Sequence, residues 1–198
     1  MACGAELTGA SAMMAGWFDV PQWVPGLVVV VVLTAVNLAQ VKGFGEFEYW
    51  FAMIKIAVIL GFLVIGVLLW AGVLPASDFV GFEHVRESGF APNGIAGIAA
   101  GLLAVAFAFG GIEVVTIAAA ESENPSDNVK RAVNSIIWRI ALFYIGSVTV
   151  IILLLPYAAI DGADSAADSP FTAVLEMANI PGAAALMEVV IVLALLSA

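Results

Sequence analysis

The stretch FAFGGIEVVTIAAAESENP, residues 107–125, closes a charge-free run from Ser88 to Ile112, sets two adjacent glycines and a glutamate at its end, and only then turns polar. In hydrocarbon a backbone must satisfy its own hydrogen bonds, so an interruption survives only where protein or a water-lined cavity surrounds it. Gly110-Gly111 is such an interruption, at roughly 1 kcal/mol for each glycine in a helix interior. Glu113 adds about 2.5 kcal/mol or more if it is held at mid-membrane depth. Close helix packing accounts for glycines alone, but it gives no reason to keep an ionisable group two residues later.

Whether the surroundings are hydrocarbon is decided by composition. Hydrophobic residues make up 63% of the 198 and charged residues 11%, against roughly 45–50% and about 25% in soluble domains, too little charge to coat a globule in water. Uncharged runs cover Val20 to Val41, Ile56 to Ser77, Ser88 to Ile112 and Ile140 to Ile160. Each reaches the ~20 residues a helix needs to cross ~30 Å. The expected class is therefore an all-α integral membrane protein, with spans over 22–40, 47–71, 94–120 and 133–157. Partial spans over 1–17 and 180–198 mark the chain as a fragment of a longer protein.

Several functions are disfavoured. A net charge of −10 with six Lys and Arg disfavours nucleic acid as a partner. Cys3 and His84 are the only residues of their kinds, so no His/Cys metal cluster and none of the usual nucleophile and base pairs can be assembled. Neither a metal nor an organic cofactor is expected, nor enzymatic activity.

Polar punctuation sets the boundaries. Trp17 to Pro21 reads as an interfacial turn, 41–46 as a tight reversal, and the stretch from Pro75 to Glu87 as a long loop. Asn124-Pro125 reads as a stop, Ser126 to Arg131 as a polar linker, and Asp161 to Asp168 as an acidic loop. Counting crossings puts Lys42 and Lys130-Arg131 on one side, with Arg139 able to snorkel there or to pair with Glu121 or Glu123, which makes that side cytoplasmic. Asn37, Thr116 and Glu188 carry no assigned chemistry.

A broken helix offers free carbonyls to an ammonium group and free N–H groups to a carboxylate at mid-membrane depth. The backbone of Ala108, Phe109, Gly110 and Gly111 is thus the candidate site for the two ends of an amino acid, with Phe107 and Phe109 as its walls. Lys55 is a second costly residue, about nine residues into its helix and ~13 Å along it, near the bilayer centre. Snorkelling from there requires a four-carbon stem to climb most of a leaflet. A lysine facing the protein interior could instead take up and lose a proton during a transport cycle.

Four stretches, VKGFGEFEYWFAMIKI (41–56), FAFGGIEVVTIAAAESENP (107–125), AVNSIIWRIALFYIGS (132–147) and SPFTAVLEMANIPGA (169–183), resemble the amino acid permeases of the amino acid/polyamine/organocation superfamily. EVVTIAAAES, NSIIWRI and MEVVIVL are most similar to 4-aminobutyrate permeases. The resemblance implies a LeuT-like fold of twelve helices with two inverted repeats, of which this chain would hold the end of helix three to part of helix eight. It implies that the Gly110-Gly111 segment is the broken sixth helix, that Lys55 links transport to protons, and that Glu113 serves gating or proton response. Relatives often carry a proline and lysine where this chain has Val129-Lys130-Arg131, and usually asparagine where Glu188 stands.

The function expected is secondary transport of 4-aminobutyrate or a related small amino acid across the plasma (inner) membrane by proton symport. The proton gradient would be the driving force, and the lipid bilayer and the missing helices of the full-length permease the partners. An exchanger and a non-transporting sensor or accessory subunit are the alternatives.

Overall fold

The computed structural model describes residues 2–38, 44–74, 79–89, 91–108, 117, 124–160 and 168–196. Among them every regular element is helical: α1 (Ala2–Phe18), α2 (Trp23–Leu38), α3 (Phe44–Trp70), α4 (Glu83–Ser88) and α5 (Gly94–Ala108). After these come α6 (Pro125–Leu154), α7 (Pro170–Met177) and α8 (Ala183–Leu196).

Two helices are long and apolar enough to cross a bilayer, Tyr49–Trp70 within α3 and Pro125–Leu154; Gly94–Ala106 and Ala183–Leu196 are shorter apolar helices. Glu6–Phe18 and Trp23–Ala35 form a pair bent by 119°, turned where Asp19 adopts a left-handed φ of 50°. The stretches expected over 22–40 and 94–120 are helical as far as Leu38 and from Gly94 to Ala108, and residues 39–43, 109–116 and 118–123 lie outside the described set.

Two expectations about polar segments change. The stretch 126–131, read as a linker, is helical, and α6 begins at Pro125 rather than near residue 133. Asn124-Pro125 opens this helix. Proline at the first helical position loses no hydrogen bond there, and Asp127 in the first turn suits the positive end of the helix dipole. The long loop after α3 likewise contains a helix, Glu83–Ser88, anchored where Trp70 Nε1 donates to the Gly81 carbonyl at 2.8 Å. The Trp70 ring also meets Phe79 and Phe82 at 5.6 and 5.9 Å.

The core lies between α3, α6, α7 and α8, where Phe62, Leu69, Val150, Leu154, Val174 and Met187 are buried together. The short helix α7 fills the gap among the longer ones, its Phe171 ring 5.0 Å from that of Phe62. Small residues let α3 and α6 approach closely. A Cβ built on Gly66 would stand 2.2 Å from Val150 Cγ1, and one on Gly146 would stand 3.3 Å from Leu63 Cδ2. Because residues 63 and 66 face 146 and 150 in ascending order, α3 and α6 run parallel. The α1–α8 pair runs the other way: Gly9 faces Leu195, and Trp17 faces Glu188.

Much apolar surface stays uncovered. On α2, Leu27, Val28, Val30, Val31 and Val32 are exposed, and on α5 so are Ile95, Leu102, Leu103 and Val105. Such faces cannot rest in water and are at home against lipid or other apolar helices.

Candidate functional site

Phe107 and Ala108 form the last described turn of α5. Their side chains, and the whole of Phe109, Gly110, Gly111 and Glu113, lie outside the described residues. The approach to the expected site is among the described residues. Asn93, just ahead of α5, donates from its amide Nδ2 to the hydroxyl of Tyr157, which sits in a 3-10 turn (Tyr157–Ala159) beyond the end of α6. That bond ties the start of the helix leading to Phe107 to the end of the helix that packs against α3.

Lys55 is half-buried on α3, six residues past Tyr49 and so about 9 Å into a 22-residue apolar segment. Its direction around the helix is the informative part. Phe62, Gly66 and Leu69, all buried, lie within about 40° of Lys55 at 3.6 residues per turn. Lys55 therefore prolongs the stripe by which α3 contacts Val150 of α6 and Phe171 of α7. Its neighbours Phe51, Met53 and Ile54 are exposed.

Two features escaped the sequence reading. The first is the Trp17–Glu188 bond, in which the indole Nε1 donates to Oε2 at 3.0 Å. Glu188 lies in the second turn of the otherwise uncharged α8, and Trp17 in the last turn of α1. Here an aromatic N–H ties two helices together by satisfying a carboxylate that lipid would penalise. No local pattern announces the partner, which is 171 residues away.

The second feature is a π-helical segment, Ile140–Ile145, inside α6. π turns leave carbonyls imperfectly used by the helix, and the Ser147 hydroxyl donates to those of Phe143 and Tyr144. Ser147 is buried, beside Gly146 where Leu63 of α3 packs. Small residues and a hydroxyl bonded within its own helix thus permit the close α3–α6 contact.

Long apolar helices, small residues at their crossings, and ionisable groups kept on packed faces define a helical membrane protein. The amino acid permease family profile matches residues 1–198, and the chain belongs to that family. Over 199 residues it is 62% identical to the aromatic amino acid transport protein AroP of Corynebacterium glutamicum, covering 100% of this chain and 43% of that protein. It is 40% identical over 194 residues to the gamma-aminobutyric acid permease of Bacillus subtilis, covering 97% and 40%. To the lysine-specific permease LysP of Escherichia coli it is 37% identical over 200 residues, covering 98% and 41%. The chain spans less than half the length of these relatives. No solved structure matches it. Permeases are transporters and not enzymes.

Proposed function

We infer that the chain is the central part of a permease that carries an amino acid across the plasma membrane, and that aromatic amino acids are its preferred substrates. The observation that carries the substrate class is the 62% identity to an aromatic amino acid transport protein over all of this chain. A second reading, 4-aminobutyrate, has its own support in the 40% identity to a gamma-aminobutyric acid permease and in the sequence resemblance at EVVTIAAAES.

In this reading the protein has a LeuT-like inverted repeat, and the backbone of Ala108 to Gly111 holds the amino and carboxylate groups of the substrate. Phe107 and Phe109 close the site, and Glu113 gates it. The helices missing from this chain supply the remaining walls. Lys55 couples uptake to the proton gradient by alternating access, a role favoured by its place on the packed stripe of α3. Exchange without net proton flow is the competing mode.

The test is uptake by the full-length protein in proteoliposomes. Labelled phenylalanine, tyrosine and 4-aminobutyrate are offered with and without an imposed pH gradient. Accumulation of an aromatic amino acid, driven by the gradient and needing no internal amino acid, is the result expected. Preference for 4-aminobutyrate would select the second reading. A requirement for internal amino acid would select exchange, and absence of any uptake would leave a sensor or accessory subunit.

A further inference from the structure

The helix α6 is longer than a bilayer needs. Its 30 residues, Pro125–Leu154, make about 45 Å of helix against ~30 Å of hydrocarbon. Measured back from the apolar end at Leu154, the hydrocarbon is used up near residue 135. Roughly the first ten residues therefore stand in the headgroup layer and beyond it. Three of the six basic residues of this chain, Lys130, Arg131 and Arg139, lie in the first half of α6. Trp138, 69% exposed, marks the level where an indole prefers to sit.

Along this projecting end runs a groove of about 790 Å³, lined among the described residues by Asp127, Lys130, Arg131, Val133, Asn134 and Ile137. Its chemistry changes along the helix axis. From the end farthest from the membrane come a carboxylate, two cations, an aliphatic side chain, an amide and a second aliphatic side chain. A phospholipid sets its phosphate outermost, at the level of the cations, and its acyl chain inward, at the level of Ile137. Asp127 is the only acidic side chain among the described residues that line the groove, and it lies about one turn beyond the cations.

We propose that this groove binds an anionic phospholipid of phosphatidylglycerol type. Lys130 and Arg131 hold the phosphate, and an acyl chain runs inward past Ile137. In a chain of net charge −10 an anion is retained only where cations gather locally, and basic residues at a membrane surface each strengthen attraction to anionic lipid. Asp127 limits how far the phosphate can rise out of the membrane.

The experiment counts lipids retained by the detergent-purified full-length protein in native mass spectrometry, with phosphatidylglycerol or phosphatidylcholine added. Wild type should retain phosphatidylglycerol in preference. Lys130→Gln with Arg131→Gln should lower that retention by roughly fivefold for each charge removed, and Asp127→Asn should raise it about twofold. Circular dichroism checks that the variants keep their helices, and Lys130→Arg should restore retention if a cation is what the groove requires. Equal retention of the two lipids by wild type would overturn the proposal, as would unchanged retention in the double variant. A loss of retention in Asp127→Asn would mean that an ammonium-bearing lipid is the ligand instead. Displacement of the lipid by millimolar inorganic phosphate would mean that the groove recognises phosphate without the acyl chain, and this too would sink it.

Discussion

Trp17 and Glu188 are joined by an indole-to-carboxylate hydrogen bond of 3.0 Å that links the end of α1 to the second turn of α8. The two helices run antiparallel, and Gly9 meets Leu195 further along the same seam. Glu188 has a charge that an apolar helix tolerates poorly, and the bond is one means of compensating it. Trp17→Phe and Glu188→Gln should each lower thermal stability in detergent. Because the site is partly exposed, their coupling in a double-mutant cycle should be about 1 kcal/mol rather than the larger value of a fully buried charged bond. A coupling indistinguishable from zero would show that the two residues are merely neighbours.

The α3–α6 contact should not tolerate any side chain at Gly66. Its Cβ would fall 2.2 Å from Val150 Cγ1, and valine has few rotamers with which to retreat. Gly66→Ala is expected to destabilise by about 1–3 kcal/mol, the usual range for overpacking. Val150→Ala in the same chain should recover most of the loss. Melting temperatures of the two single variants and the pair measure this, and failure of the second substitution to rescue the first would place the strain elsewhere.

For Lys55 the expectation concerns coupling. In the full-length protein, Lys55→Gln should leave substrate binding within a few-fold of wild type while uptake stops responding to an imposed pH gradient. Proteoliposome uptake with and without that gradient reads this directly. A fully retained response would mean that the charge on the packed stripe serves only packing.

At the expected substrate site, Gly110→Leu should weaken amino acid binding at least tenfold by placing a side chain where the backbone is to receive the ligand. Equilibrium binding to the full-length protein is the measurement. Unchanged affinity would remove Gly110 from the site.

Reading the chain by hydropathy alone located α2, α3 and the apolar half of α6, because a bilayer requires long uncharged runs and those are visible residue by residue. It misjudged polar helices. The segment 126–131 looked like a linker because its charges ruled out hydrocarbon, yet a helix can continue past the membrane surface, and Pro125 with Asp127 is a starting signal. The short α4 and α7 were passed over for a related reason: neither is long enough to span, and both owe their stability to packing, through Trp70 and Phe82 in one case and Phe62 and Phe171 in the other. The expected site at Phe109 to Gly111 rests on the sequence, as those residues lie outside the described set.

What sequence determined by itself was the solvent, the helical class and the family, because apolar length and short motifs are properties of neighbouring residues. What tertiary structure decided was the direction each helix faces. These helices are apolar all the way round, so no periodicity separates a lipid face from a protein face. Lys55 joins the stripe of Phe62, Gly66 and Leu69, and Glu188 meets Trp17, only because particular small residues allowed particular helices to come close.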